Sequence, residues 1–167
     1  MKNIVLCGFM GCGKSTVGRR LAPMTNRQFV DMDRYIEEQV GKRISTLFRD
    51  EGEEAFRKAE TAACNALGGE SGLIIATGGG AVLREENVAA LKQNGLLVWL
   101  RVIPETVLSR LSRDQSRPLL MRDDKETAVR ELMAARTPLY AAAADFTVDA
   151  DGDAFSVARA IQKALKL

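Results

Sequence analysis

Short apolar runs alternate with longer amphipathic segments along the whole chain. NIVLC (3–7) reads as a buried strand, and KSTVGRRLAPM (14–24) as a helix with Val17 and Leu21 on one face. QFVDM (28–32) predicts a second strand, followed by short helices over 34–41 and 44–50 around Gly41. EEAFRKAETAACNAL (53–67) predicts a strong helix ended by Gly68-Gly69. GLIIAT (72–77) reads as a strand, REENVAALKQN (84–94) as a helix closed by Gly95, and LLVWLRV (96–102) as another strand. Pro104 fits a helix start, where its missing N–H does no harm, and 105–113 continue that helix. KETAVRELMAARTPLY (125–140) is helical at least to Arg136, DFTVDA (145–150) is a last strand and 154–166 a last helix.

Strands alternating with helices predict an α/β, three-layer fold: a five-stranded parallel sheet flanked by helices. RDQSRPLLMRDD (113–124) fits neither state; it is polar, contains Pro118 and carries three arginines. It reads as a mobile loop between two helices, a lid. With 167 residues, no linker and no repeat, one domain over 1–167 is expected, with a substrate-binding region about 32–60 and the lid about 112–124.

Composition narrows the class. Hydrophobic residues make up 46% and charged residues 28%, as in soluble globular proteins. A net charge of +2 without a basic run argues against nucleic acid and against a membrane surface. The N-terminal apolar run breaks into glycines and Lys14, unlike a signal peptide, and other apolar runs are far below transmembrane length. Cys7, Cys12 and Cys64 are odd in number and form no C-x-x-C, which suits a reducing, cytoplasmic setting.

Residues 8–15, GFMGCGKS, match G-x-x-x-x-G-K-[ST] between a predicted strand and a predicted helix. A chance match in a chain this long is on the order of one in two hundred. The pattern places backbone N–H groups of Gly11, Cys12, Gly13 and Thr16 around a nucleoside triphosphate at a helix N-terminus. Lys14 would reach the β- and γ-phosphates, and Ser15 would offer its hydroxyl to Mg²⁺. The small size and the lid favour an ATP-dependent kinase over a motor or a switch.

In such sheets ligands bind beyond the carboxyl ends of the strands. Asp31 and Asp33 fall at the end of the second strand; a spacing of two puts both on one face there. Asp31 would hold a water on Mg²⁺. Asp33 would accept a hydrogen bond or proton from an attacking hydroxyl, with capping of the next helix as the plain alternative. Gly78, Gly79 and Gly80 directly follow the third strand; three glycines exceed the need of a tight turn and favour close approach to a ligand. Glu60 stands three residues after Arg57, placed to orient its guanidinium. Lid position singles out Arg117, whereas spacing alone does not single out Arg57 or Arg136.

GFMGCGKSTVGRRLA, FVDMD, GEEAFRKAE, ATGGGAV, RPLL and ARTPLY, in that order, resemble the shikimate kinase family over nearly the whole chain. The resemblance implies a nucleoside-monophosphate-kinase type of fold and transfer of the ATP γ-phosphate to the 3-hydroxyl of shikimate, on the route to chorismate and aromatic amino acids. By motif, it implies that Asp33 holds shikimate hydroxyls, Arg57 and Arg136 grip its carboxylate, and Gly79 contacts it through the backbone. Lys14 and Arg117 would stabilise the transferring phosphoryl group, Ser15 would ligate Mg²⁺ with Asp31 near it through water, and Arg110 would stack on adenine. One departure is the loop after the last strand, DADGDAF, which lacks the arginine some members carry there. Shikimate and ATP are the expected partners and a monomer the expected state. Two rivals stand at this point: a gluconate kinase of the same fold, and a nucleotide-binding regulator without catalysis.

Overall fold

The computed structural model describes residues 1–112 and 125–167. The expected lid over 113–124, and Arg117 within it, lie outside the described residues. Five parallel strands form one sheet in the order β2-β3-β1-β4-β5: β1 Asn3–Cys7, β2 Gln28–Asp31, β3 Leu73–Ala76, β4 Gly95–Arg101 and β5 Phe146–Asp149. The central strands β1 and β3 are buried along their whole lengths, which is why they read as unbroken apolar runs. Edge strand β5 alternates instead and leaves Thr147 and Asp149 to solvent.

Helices α1 (Lys14–Met24), α2 (Met32–Val40), α3 (Ile44–Glu51), α4 (Glu53–Gly68), α5 (Glu85–Lys92), α6 (Pro104–Leu111), α7 (Lys125–Ala143) and α8 (Ala154–Leu165) flank the sheet. Val17 and Leu21 of α1 are buried, as their spacing requires. A short 3₁₀ turn over Ala81–Leu83 precedes α5 and was not expected.

Two boundaries differ from the sequence reading for physical reasons. Strand β2 stops at Asp31, whose carboxylate accepts a hydrogen bond from the Arg34 N–H and caps α2. Asp33 therefore lies in the first turn of that helix, not on a strand face shared with Asp31. The capping role is real, but it belongs to the other aspartate. Helix α7 also runs through Pro138 to Ala143. Proline withdraws one N–H from the ladder. Just before it, the Thr137 hydroxyl donates to the Met133 carbonyl (2.7 Å). Buried Tyr140 and Ala143 pin the last turn to the core.

The register sets Asp31 beside Ala76 and Cys7 beside Trp99. The carboxyl ends of β1, β2 and β3 therefore deliver the 8–13 loop, Asp31 and the 77–80 loop to one edge of the sheet.

Candidate active site

The 8–15 loop is shaped by what its glycines admit. A Cβ on Gly8 (φ 146°) would stand 2.8 Å from both Cys12 Sγ and the Leu100 carbonyl oxygen. Gly13 takes φ 96° to start α1. Cys12 is buried and closes the turn by donating its N–H to the Phe9 carbonyl (3.1 Å). Among the described residues no side chain caps α1, and its first turn carries no acid. Its orphan N–H groups and positive dipole end face the cleft. Lys14 Nζ donates to the carbonyls of Gly8 (2.7 Å) and Phe9 (3.2 Å), so the ammonium is held over the loop rather than released to solvent. Ser15 Oγ donates to Asp31 Oδ2 (3.1 Å). With Asp33, Thr77, Gly78 and Gly79, these residues line a cleft of about 300 Å³.

A second cleft, of about 240 Å³, opens beyond Cys12, Gly13 and Thr16, toward the loop between β5 and α8. Arg110 reaches it from the last turn of α6. Its Nη2 donates to the carbonyls of Ala150 (2.9 Å), Gly152 (3.1 Å) and Asp151 (3.2 Å), and its Nη1 to that of Gly11 (3.2 Å). The loop that lacks its own arginine is thus clamped by one from α6. Asp153 caps α8 through the Ser156 N–H (2.9 Å) and hydroxyl (2.8 Å), which hold its carboxyl below the usual range.

The three glycines after β3 have a reason that sequence reading missed. A Cβ on Gly78 would stand 2.9 Å from Asp33 Oδ1, one on Gly79 3.4 Å from Arg136 Nη1, and one on Gly80 2.8 Å from Arg57 Nη1. None of the three needs a positive φ. Gly78 and Gly80 leave room for the ends of Asp33 and Arg57, Gly79 would meet Arg136 only at ordinary contact distance, and the loop draws together residues from α2, α4 and α7. The triplet was read as space for a ligand; its first occupants are the site's own side chains.

Arg57 is oriented as its spacing suggests: Nη1 donates to Glu60 Oε1 at 3.0 Å, and exposed Glu53 stands 3.5 Å from Nη2. Glu60 is 1% exposed, and among the described residues its Oε2 accepts no hydrogen bond. Burial pushes its carboxyl above the usual range, against the pull of Arg57 and with help from the Asp33 charge.

Two supporting residues escaped sequence reading. Buried Tyr140 donates its hydroxyl to the Gly79 carbonyl (2.7 Å), and the Phe9 ring carries the Arg136 guanidinium 5.6 Å from its centroid. The available signal was position: Tyr140 follows Arg136 by four residues on one helix face, and Phe9 sits inside the glycine-rich loop. The structure thus brings together Gly11, Cys12, Gly13, Lys14, Ser15, Thr16, Asp31, Asp33, Gly78, Gly79 and Arg136, with Arg57 behind Gly80 and Arg110 on the far side of the loop.

A family model described as shikimate kinase matches residues 10–166. The chain belongs to the shikimate kinase family. Its members phosphorylate shikimate, and this chain is such a kinase. It is similar to a shikimate kinase of Thioalkalivibrio sulfidiphilus, 45% identical over 161 residues that cover 96% of this chain and 84% of that one. Its fold superposes on a shikimate kinase from Acinetobacter baumannii in complex with shikimate with a TM-score of 0.91, at 41% identity over 99% of this chain and 94% of that one. A gluconokinase from Sinorhizobium meliloti shares only the fold, at 13% identity and a TM-score of 0.63, covering 99% and 91%.

Proposed function

We propose that the cleft binds shikimate on the Asp33, Arg57 and Arg136 side and ATP on the loop side, so that the γ-phosphate passes to the 3-hydroxyl. The observation that carries this reading is the glycine triplet filled by one carboxylate and two guanidiniums. Two arginine forks match a carboxylate, and an aspartate between them and the phosphate loop matches a ring hydroxyl.

Phosphoryl transfer passes through a loose transition state with charge spread over the equatorial oxygens, so positioning and positive charge dominate. Lys14, the α1 N–H groups and Arg117, which lies outside the described residues, supply that charge. Asp33 orients the attacking hydroxyl and takes its proton as the bond forms. Gly79 offers its backbone to the acid, between Gly78 and Gly80. Arg110 closes the adenine side, its fork holding the 150–152 carbonyls.

Ser15 Oγ and the Asp31 carboxylate, 3.1 Å apart at the helix start, are hard oxygen donors of the kind Mg²⁺ prefers. Ser15 would hold the ion directly and Asp31 through a water. Held there, the ion would supply positive charge that offsets the charge developing on the transferring phosphoryl group. No cluster of three His, Cys, Asp or Glu residues occurs among the described residues, so these two donors and the phosphates themselves would share the coordination with water.

A monomeric, single-domain protein working in the cytoplasm completes the proposal. Three free, buried cysteines fit a reducing compartment. The substrate region extends past 32–60 to the glycine triplet and Arg136.

An ADP-release assay with shikimate, gluconate and quinate tests the substrate: turnover with gluconate and none with shikimate overturns the reading. Asp33→Asn tests the base. Turnover should fall about 10²- to 10⁴-fold. Near-normal turnover with intact shikimate affinity leaves no base role for Asp33.

A further inference from the structure

Phe9 contacts both halves of the site, yet it offers no group to either substrate. Its carbonyl accepts from Lys14 Nζ (3.2 Å) and from the Cys12 N–H (3.1 Å), so its backbone belongs to the phosphate loop. Its ring, 2% exposed, lies under the guanidinium of Arg136, 5.6 Å from the centroid. The ring also borders a surface cleft of about 300 Å³, lined by apolar residues such as Trp99, Met133 and Tyr140 and by charged Arg101, Arg130, Asp149 and Asp151.

We propose that Phe9 is a positioning residue that fixes the Arg136 guanidinium on the phosphate loop and thereby couples nucleotide binding to acid binding. The inference rests on the reading of Arg136 as a carboxylate ligand. The physical steps are short. A guanidinium over an aromatic face is held by the ring quadrupole, and the attraction grows where water is excluded. A phosphate that draws Lys14 away from the Phe9 carbonyl changes the constraint on that residue. The same residue carries the arginine, so the two sites share one mechanical element. Coupling of this kind is reciprocal: nucleotide must tighten acid binding by the factor by which acid tightens nucleotide binding.

The test compares shikimate affinity by calorimetry, with and without a non-hydrolysable ATP analogue and magnesium, for the wild type, Phe9→Leu, Phe9→Tyr and Arg136→Lys. Leucine keeps an apolar plug without a quadrupole, whereas tyrosine keeps the ring and its quadrupole. In the wild type the analogue should tighten shikimate at least about fivefold. Phe9→Leu should weaken shikimate about 5- to 30-fold and bring that coupling close to unity. Phe9→Tyr should restore most of both. Leucine and tyrosine variants that behave alike, whether both intact or both impaired, overturn the proposal, because a space-filling role does not distinguish them. So does a wild type without coupling. Arg136→Lys separates the two levels. If it binds shikimate normally, the assignment of Arg136 fails and this inference with it; if it binds poorly while Phe9→Leu binds normally, only the role of Phe9 fails.

Discussion

Tyr140→Phe removes one oxygen atom and leaves the ring in place, so it isolates what the hydroxyl does, at the Gly79 carbonyl and beside Arg136. The hydroxyl donates to the Gly79 carbonyl at 2.7 Å from a side chain that is 2% exposed. Burial pushes the phenol up to about 12, partly offset by the facing Arg136 charge, so the donor is present throughout any practical assay. Without it the carbonyl loses its donor in a desolvated place, which costs about 1–3 kcal/mol. That energy appears either as lost stability or as a displaced loop. Gly79 packs against Arg136 Nη1, and a shift of its peptide moves the carboxylate cradle. The expected result is a shikimate KM raised about 5- to 30-fold, an ATP KM unchanged, and a melting temperature lower by about 2–6 °C. The variant-to-wild-type ratio of kcat/KM for shikimate should stay constant from about pH 6 to about pH 10, because the phenol does not titrate there. Steady-state ADP release at saturating partner substrate, with calorimetric melting alongside, measures all four quantities. An unchanged shikimate KM together with a lowered melting temperature refutes the positioning argument and leaves the hydroxyl a purely structural role.

Other perturbations test separate parts of the site. Gly80→Ala would place a Cβ 2.8 Å from Arg57 Nη1, the mobile end of a long side chain. Melting should change by less than about 3 °C while shikimate KM rises at least about tenfold; an unchanged KM shows that Arg57 has slack. Gly68→Ala meets the Ala90 backbone carbonyl, which cannot rotate away, so α4 and α5 must part. A loss of about 1–3 kcal/mol in chemical unfolding is expected with kinetics intact, and unchanged stability refutes the packing reading. Glu60→Gln tests linkage. The raised carboxyl of Glu60 means that the folded protein binds its proton more tightly than the unfolded chain does. Its contribution is thus fully present below the ordinary value of 4.5 and is lost as pH rises through the raised folded value. The stability of the wild type relative to Glu60→Gln, which does not titrate there, should fall with rising pH across that window. A relative stability that rises instead means that Arg57, not burial, sets the state of the carboxyl.

How far the sequence carried depends on where the information is stored. Buried strands announce themselves because both faces are covered, and all five were placed to within about one residue of their observed ends. The sequence placed helix α7 at least to Arg136 but not its end, because its last turns contain Pro138. Tertiary burial of Tyr140 and Ala143 outweighs that local penalty, and burial of this kind is invisible in a window of neighbours. The phosphate loop was legible because its function is local: backbone N–H groups, one lysine and one hydroxyl within eight residues. The acid side was not. Arg57 and Arg136 come from helices almost eighty residues apart, and only the folded sheet brings them to one loop. Family resemblance named them; spacing did not. Arg110 was expected from resemblance to stack on adenine, and the structure adds that it clamps the loop whose own arginine is missing.

The glycine triplet joins these two kinds of information. Side chains at 78 and 80 would crowd the ends of Asp33 and Arg57, and one at 79 would touch Arg136 at ordinary contact distance. Without them, one carboxylate and two guanidiniums come to a single stretch of backbone although nothing in their own elements directs them there. Bringing two guanidiniums close costs electrostatic energy, which Glu60 offsets for Arg57 by a direct ion pair at 3.0 Å. Among the described residues Arg136 meets the Phe9 ring face, Tyr140 and the Gly79 backbone, and no ion pair like that of Arg57 with Glu60 is seen there. An incoming carboxylate therefore gains most at Arg136, and substitutions there should cost more acid affinity than the same substitutions at Arg57. Calorimetric titration of shikimate into Arg57→Lys and Arg136→Lys gives the ranking directly. Equal losses, or a larger loss at Arg57, would mean that ion pairing with Glu60 orients Arg57 more than it neutralises it.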